Sequence, residues 1–277
     1  MRRMTLSLTL TLAAAAAAAA VNTSCRTAAA EAQQPNTVTY VGNSGFLLRA
    51  GGKKILIDAI FDGFPGGYTV PAAVTEPLLA GRAPYDGIDL ILATHRHADH
   101  FSAPSVRRVL EASPGAVFVG PDDAVAPLAD LGNRARALDV PEGERRTVEV
   151  NGITIVAMRL SHGNPPAGRP GIVNLAYLVT AGGVKFFHTG DIDLNSIPRS
   201  YLVSLRLWDD SVDVAFVPHF LLSIPDAAPF VTEAIRPRFV VASHAQYTGQ
   251  APDSGQIMRN HPNAVLLTTE GASWTVR

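Results

Sequence analysis

Three histidines and an aspartate stand within six positions of this chain, in Thr94-His95-Arg96-His97-Ala98-Asp99-His100-Phe101. Neutral imidazole and ionised carboxylate are the ordinary ligands of zinc and similar divalent ions. With only 8 histidines in 277 residues, so dense a cluster fits a metal site better than chance. The preceding run, Asp89-Leu90-Ile91-Leu92-Ala93, is short and apolar and reads as a buried strand. Such a strand delivers all four side chains into one small volume at its tip. His95 and His97 share a face of an extended segment, whereas Asp99 and His100 fall where the chain turns.

Further histidines and aspartates recur at strand ends. Asp58 ends the expected strand Lys53 to Asp58, and His162 follows the run Ile153 to Leu160. Asp191 closes Phe186-Phe187-His188-Thr189-Gly190-Asp191, and His244 follows Phe239-Val240-Val241-Ala242-Ser243. His219 stands just after Val214 to Pro218. Placement of this kind gathers side chains at one edge of a sheet, where random surface histidines would scatter. His188 reads as a packed strand residue, and His261 as a solvated one on a helix.

The elements that must position these residues are mostly strands. Thr37 to Val41, Phe46 to Ala50 and Lys53 to Asp58 are joined by turns with glycine, Gly42-Asn43-Ser44-Gly45 and Gly51-Gly52. A hairpin joins Arg146–Val150 to Ile153–Leu160 around Asn151-Gly152. Further strands are expected at 116–119, 174–180, 184–188, 212–217, 239–242, 264–267 and 273–276. Helices are expected at 104–112, 121–131, 229–235 and 254–261. Residues 61 to 87, rich in Gly, Pro and aromatics, read as a long irregular excursion, the kind of loop that is often functional. The whole predicts one domain of two β-rich halves with helices outside.

Composition narrows the partners. The net charge is −1 with 47% hydrophobic residues, and no basic stripe invites nucleic acid. Arg2 and Arg3 precede an uncharged run from Leu6 to Val21, and Ala30-Glu31-Ala32 fits a small-x-small cleavage pattern. Residues 1–32 therefore read as a secretory signal peptide and the protein as exported, periplasmic or secreted. The lone Cys25 stands where a lipidated cysteine of a lipoprotein leader would stand, so a membrane tether through it is the alternative. Removing residues 1–32, with Arg2, Arg3, Arg26 and Glu31, leaves 20 basic against 23 acidic residues. The remaining domain, 33–277, has no cysteine, hence no disulfide and no thiolate ligand.

Taken in order, Asp58, His95-x-His97-x-Asp99-His100, His162, Asp191 and His244 resemble the ligand pattern of the metallo-β-lactamase superfamily, across 37–277. The segments Gly45-Phe46-Leu47-Leu48, Ile55-Leu56-Ile57-Asp58 and Arg236-Pro237-Arg238-Phe239-Val240-Val241 are most similar to the branch containing ascorbate-6-phosphate lactonase. The resemblance implies an α/β (α+β) fold, a four-layer αββα sandwich with its site at one sheet edge. It implies that His95, His97 and His162 hold one metal, that Asp99, His100 and His244 hold a second, and that Asp191 bridges both. Asp58 would support the ligands through hydrogen bonds rather than coordinate. Two divalent ions are implied, zinc first, with manganese or iron as alternatives.

The chemistry expected is hydrolysis of an ester, lactone, amide or phosphodiester in a small-molecule substrate. A hydroxide bridging the metals is the nucleophile, and Asp99 orients it and carries its proton. Alternatives are a β-lactamase of the class-B kind and a non-catalytic metal- or partner-binding protein of the same fold. His219, Arg169 and Tyr68 are candidate pocket residues, with Phe61, Phe64 and Tyr85 as an apolar lip.

Overall fold

The side-chain parity of the strands builds three hydrophobic layers from two sheets. In the computed structural model, which describes residues 35–63, 67–163, 171–245 and 252–277, the first sheet orders its strands β14-β1-β2-β3-β4-β5-β6. These are β1 (Thr37–Gly42), β2 (Gly45–Ala50), β3 (Lys53–Ile57), β4 (Leu90–Leu92), β5 (Val117–Gly120), β6 (Ala135–Ala137) and β14 (Ser273–Thr275). The second sheet orders its strands β13-β12-β11-β10-β9-β8-β7. These are β7 (Arg145–Val150), β8 (Ile153–Arg159), β9 (Leu175–Ala181), β10 (Val184–His188), β11 (Val214–Pro218), β12 (Phe239–Ser243) and β13 (Ala264–Val265).

Alternate residues of every central strand point to opposite faces. Ile55 and Ile57 of β3, Leu90 and Leu92 of β4, and Tyr177 and Val179 of β9 meet between the sheets, as do Val214 and Phe216 of β11. Their neighbours Leu56, Ile91 and Phe118 face outward onto helices α1 (Ala72–Leu79) and α2 (Ala103–Ala112). Phe187, Ala215 and Val240 face the other way, with helices α4 (Arg199–Leu205), α5 (His219–Ser223) and α6 (Ser254–Asn260) on that side. The result is the four-layer αββα sandwich that the family resemblance implies.

The sheets are mixed, and their parallel pairs point a set of strand ends the same way. β3, β4 and β5 are parallel, and so are β10, β11 and β12. β8 and β10 are each antiparallel to β9, so β8 also runs with them. The carboxyl ends of β3, β4, β8, β10 and β12 therefore deliver Asp58, the His95–His100 turn, His162, Asp191 and His244. This is the end at which parallel strands ordinarily present ligand-binding loops.

Several elements depart from the sequence reading. The excursion at 61–87 contains α1, which the composition hid because Pro77 lies inside it. The expected helix 121–131 is a short helix α3 (Asp122–Val125) followed by a 3-10 stretch, Ala126–Arg134, kinked where Gly132 has φ 55°. Residues Phe230–Ile235 wind as a π-helix. Tyr85, read as part of an apolar lip, is instead buried in the layer beneath the first sheet, and Phe61 is buried too. His261, read as solvated, is 1% exposed just past α6, with neither ring nitrogen hydrogen-bonded among the described residues. Among the described residues no helix is long and apolar enough to cross a membrane.

Candidate metal centre

The tip of β4 is stitched to both sheets before the cluster begins. The Ala93 amide donates to Val119 O at 3.2 Å, and Ala93 O accepts from the Tyr177 hydroxyl of the opposite sheet at 2.9 Å. Leu175 N donates to Thr94 O at 2.9 Å. Beyond this anchor the chain turns tightly, with His100 N and Phe101 N both donating to His97 O at 3.0 and 2.9 Å. The turn brings Asp99 and His100 back beside His95, whose side chain is fully buried.

Asp58 supports this turn from beneath. Its Oδ1 accepts from Thr94 N at 2.7 Å, and its Oδ2 accepts from Thr94 Oγ1 at 2.7 Å and from His100 Nδ1 at 2.8 Å. The first two bonds hold the backbone leaving β4. The third fixes the tautomer and ring direction of His100, turning Nε2 toward Asp99 and Asp191. Asp58 has φ 48°, as does Asn43, and His244 has φ 59°. Left-handed backbone at such residues concentrates at functional turns, where surrounding contacts hold it.

The ligand-type atoms fall into two groups, in each of which they lie within 4.8 Å of one another: His95, His97 and His162, and Asp99, His100, Asp191 and His244. In the first, His95 Nε2 lies 3.1 Å from His97 Nδ1, and the ring centroids of His162 are 4.7 Å from those of both others. Burial, reinforced by neighbouring histidines, pushes the pKa of His95 well below its usual range and lowers that of His97. Neutral imidazole is the form that coordinates a cation.

The second group is a web around Asp191. Asp191 Oδ2 lies 2.9 Å from His244 Nε2, 3.2 Å from His100 Nε2 and 3.9 Å from His162 Nε2. Asp99 Oδ2 lies 3.5 Å from both His100 Nε2 and His244 Nε2. Burial pushes both carboxyls up, but His100 and His244 outweigh it and hold Asp99 and Asp191 well below the usual carboxylate range. Burial likewise works against a charged His244, yet bonds and charge from Asp191 and Asp99 raise it to about 9. His100 is raised well above its ordinary value against the same burial, by Asp191 and Asp58.

Divalent cations fit this donor set. His100 Nε2, His162 Nε2 and Asp191 Oδ1 are buried without a hydrogen-bond partner among the described residues. Such groups are costly to leave unpaired, and three of them within the two clusters match cation ligands.

Two residues not singled out as site residues tie the frame together. His188 Nε2 donates to Ser44 O at 3.0 Å, while its Nδ1 accepts from Gly190 N at 3.0 Å. Its parity with Phe186 on β10, facing between the sheets, was the signal available in the sequence. Asn43 Nδ2 donates to Asp99, and nothing local marks it beyond its place in a Gly-Asn-Ser-Gly turn. Of the pocket candidates, His219 opens α5 partly buried, its pKa lowered by burial and by nearby His244. The ring of its neighbour Phe220 lies 5.8 Å from that of His244. The Tyr68 hydroxyl donates to Glu270 Oε1 at 2.5 Å, and its ring lies 6.5 Å from that of Phe61. Arg169 and Phe64 lie outside the described residues, as do Cys25 and the rest of 1–32.

An αββα sandwich with clustered His and Asp at one sheet edge defines a class, the metal-dependent hydrolases of the metallo-β-lactamase fold. The sequence profile of the β-lactamase superfamily domain matches residues 53–247, and the chain belongs to that family. It is 30% identical over 238 residues to a UPF0173 metal-dependent hydrolase of Polynucleobacter asymbioticus, covering 78% of this chain and 76% of the relative. A UPF0173 metal-dependent hydrolase of Pyrococcus furiosus is 28% identical over 215 residues, covering 75% and 83%. The fold also matches Igni18, a metallo hydrolase of Ignicoccus hospitalis, with a TM-score of 0.62 at 17% identity, covering 88% and 100%. The protein is accordingly a metal-dependent hydrolase of this superfamily.

Proposed function

We propose that the two clusters hold a pair of divalent metal ions and that the protein is a dinuclear hydrolase of an ester, lactone, amide or phosphodiester bond. In this reading His95, His97 and His162 take one ion, and Asp99, His100 and His244 take the other. The observation that carries it is the position of Asp191, whose Oδ2 lies within 4 Å of His162, His100 and His244 and so touches both clusters. A shared carboxylate offsets the repulsion of two neighbouring dications. Zinc suits the imidazole-rich set, with manganese or iron as alternatives where carboxylate oxygens contribute.

Bound there, the metal pair supplies a Lewis acid for the scissile carbonyl or phosphoryl oxygen and brings the acidity of water near neutral pH. The chain's own residues do the rest. Burial keeps His95 and His97 neutral and able to donate their lone pairs. Asp99, held ionised, orients the nucleophilic water, accepts its proton and passes it to the leaving group. His219, half-buried at the head of α5, offers a polar contact beside the apolar face of Phe220. Tyr68, bound to Glu270, is read as a further pocket residue. The sequence resemblance to the ascorbate-6-phosphate lactonase branch makes a lactone one class to screen, while the relatives matched are named only as metal-dependent hydrolases. We further read the charged start and apolar run of 1–32 as an export signal, which makes this a periplasmic or secreted enzyme, with Cys25 as the point of a lipid tether if one is present.

The test is a hydrolysis screen of lactones, β-lactams, phosphodiesters and acylated lipids with zinc- or manganese-loaded protein, together with metal content by mass spectrometry. Two metals per chain and turnover of one class are expected, and His97→Ala and Asp191→Ala should each lose both metal and turnover. Full turnover by either variant in chelator-treated buffer would refute the assignment.

A further inference from the structure

The turn Gly42-Asn43-Ser44-Gly45 between β1 and β2 contributes no residue to either cluster, yet it is bonded to three of the segments that build the second. Asn43 is 1% exposed, and its Nδ2 donates to Asp99 O at 3.2 Å and to Asp99 Oδ2 at 3.1 Å. Both targets are acceptors, so only the amide NH2 can face them, and the amide's orientation follows from its partners. The Asn43 main-chain carbonyl accepts at 3.4 Å from the amide of Ala245, the residue next to His244. The Ser44 carbonyl accepts from His188 Nε2, whose Nδ1 in turn accepts from Gly190 N, the residue next to Asp191.

Asp99, Asp191 and His244 are thus each tied to this turn, directly or through a neighbour. Among the described residues no hydrogen bond joins the turn to His95, His97 or His162. The turn cannot drift, because it lies against the backbone that carries Asp58. A Cβ at Gly45 would stand 2.7 Å from Ala59 Cα and from Asp58 O. A carboxylate on a short flexible stem loses rotamer freedom when it is held. At Asp99 that ordering is done in advance, since Oδ2 is pinned by the amide while lying 3.5 Å from both His100 Nε2 and His244 Nε2.

We propose that Asn43 is a positioning residue dedicated to the second metal: its amide fixes the Asp99 carboxylate for a divalent ion held with His100, Asp191 and His244, while the three-histidine cluster assembles without it. This rests on the dinuclear reading above, and it divides the site into a self-sufficient half and a half that depends on the β1–β2 turn.

The experiment is a zinc titration by competition with a chromophoric chelator, on chelator-stripped wild type and on Asn43→Gly. Glycine adopts the left-handed φ of 48° at position 43 without strain, so the variant removes the amide and spares the turn. Wild type is expected to take two equivalents. Asn43→Gly should keep the first within about twofold and bind the second about 10–100-fold more weakly, the usual loss when a ligand's supporting partner is removed. Equal binding of both equivalents by wild type and variant would overturn the assignment. Fewer than two equivalents in wild type would instead remove the dinuclear reading, and the proposal with it. A measurement that needs no variant to fold is available in 15N-labelled wild type. The Asn43 side-chain amide signals should shift with the second equivalent of zinc, and a shift confined to the first, or none, counts against the proposal.

Discussion

The carboxylate of Asp58 and the imidazole of His100 meet at 2.8 Å, both side chains fully buried and 42 positions apart in sequence. The bond gives His100 one face committed to the protein and leaves the other, Nε2, for the cluster. Asp58→Asn keeps the shape and tolerates the left-handed φ but loses the anionic acceptor. The variant should bind zinc about 10–100-fold more weakly at the Asp99–His100–Asp191–His244 cluster. Competitive metal titration measures this, and an unchanged affinity would mean that His100 is oriented by something else.

The pair His244 and Asp191 links metal binding to pH. In metal-stripped protein His244 is raised from 6.5 to about 9. Its protonated form then contributes stability that is complete below pH 6.5 and lost as pH rises through about 9. A metal needs the neutral imidazole, so binding releases protons and tightens over the same interval. Stripped protein should melt at a lower temperature at pH 9.5 than at 6.5. The enthalpy of zinc binding at pH 7.5 should vary with the ionisation enthalpy of the buffer. A buffer-independent enthalpy would contradict the proton release.

His261 titrates in the opposite sense. It is buried with both ring nitrogens unpaired among the described residues, and burial lowers its pKa from 6.5. Stability is therefore full above pH 6.5 and falls as acid protonates this histidine in the unfolded chain but not in the folded one. His261→Leu removes two unpaired polar atoms and should stabilise the fold by about 1–3 kcal/mol. Urea unfolding at pH 7 and pH 5 should show a smaller loss for the variant than for wild type. An equal loss would place the acid sensitivity elsewhere.

Gly190 is held where no side chain fits. Its φ is 62°, and an added Cβ would collide with Asn174 Oδ1 and stand 2.9 Å from Thr94 Cβ. Asn174 cannot yield cheaply, because its Nδ2 donates to Leu160 O and Thr189 O at 3.2 and 3.0 Å. Gly190→Ala should cost about 1–3 kcal/mol from backbone strain alone, and Asp191 should be displaced with it. Denaturant unfolding and metal content would register the two effects, and a variant matching wild type in both would refute this account.

Much of the fold was legible because its signals are local. Short apolar runs bounded by turn residues placed β2, β3, β9, β10 and β12 to within a residue or so of their ends. The spacing His95-x-His97-x-Asp99-His100 and the strand-end positions of His162, Asp191 and His244 named the candidate cluster. What escaped were elements whose local signals mislead. Pro77 and the glycine-rich flanks masked α1, and the helical pattern at 121–131 missed the tightening into a 3-10 path after Val125.

By itself the sequence determined which residues are the candidate ligands, since residue type and spacing are properties of neighbouring positions. Only the tertiary structure decided how they group. Asp191 reaches both clusters, Asp58 turns His100, Asn43 holds Asp99, and His261 is shut away from water. Each of these depends on contacts between segments far apart in the chain, brought together where two sheets pack, and no local pattern encodes which strand end will face which.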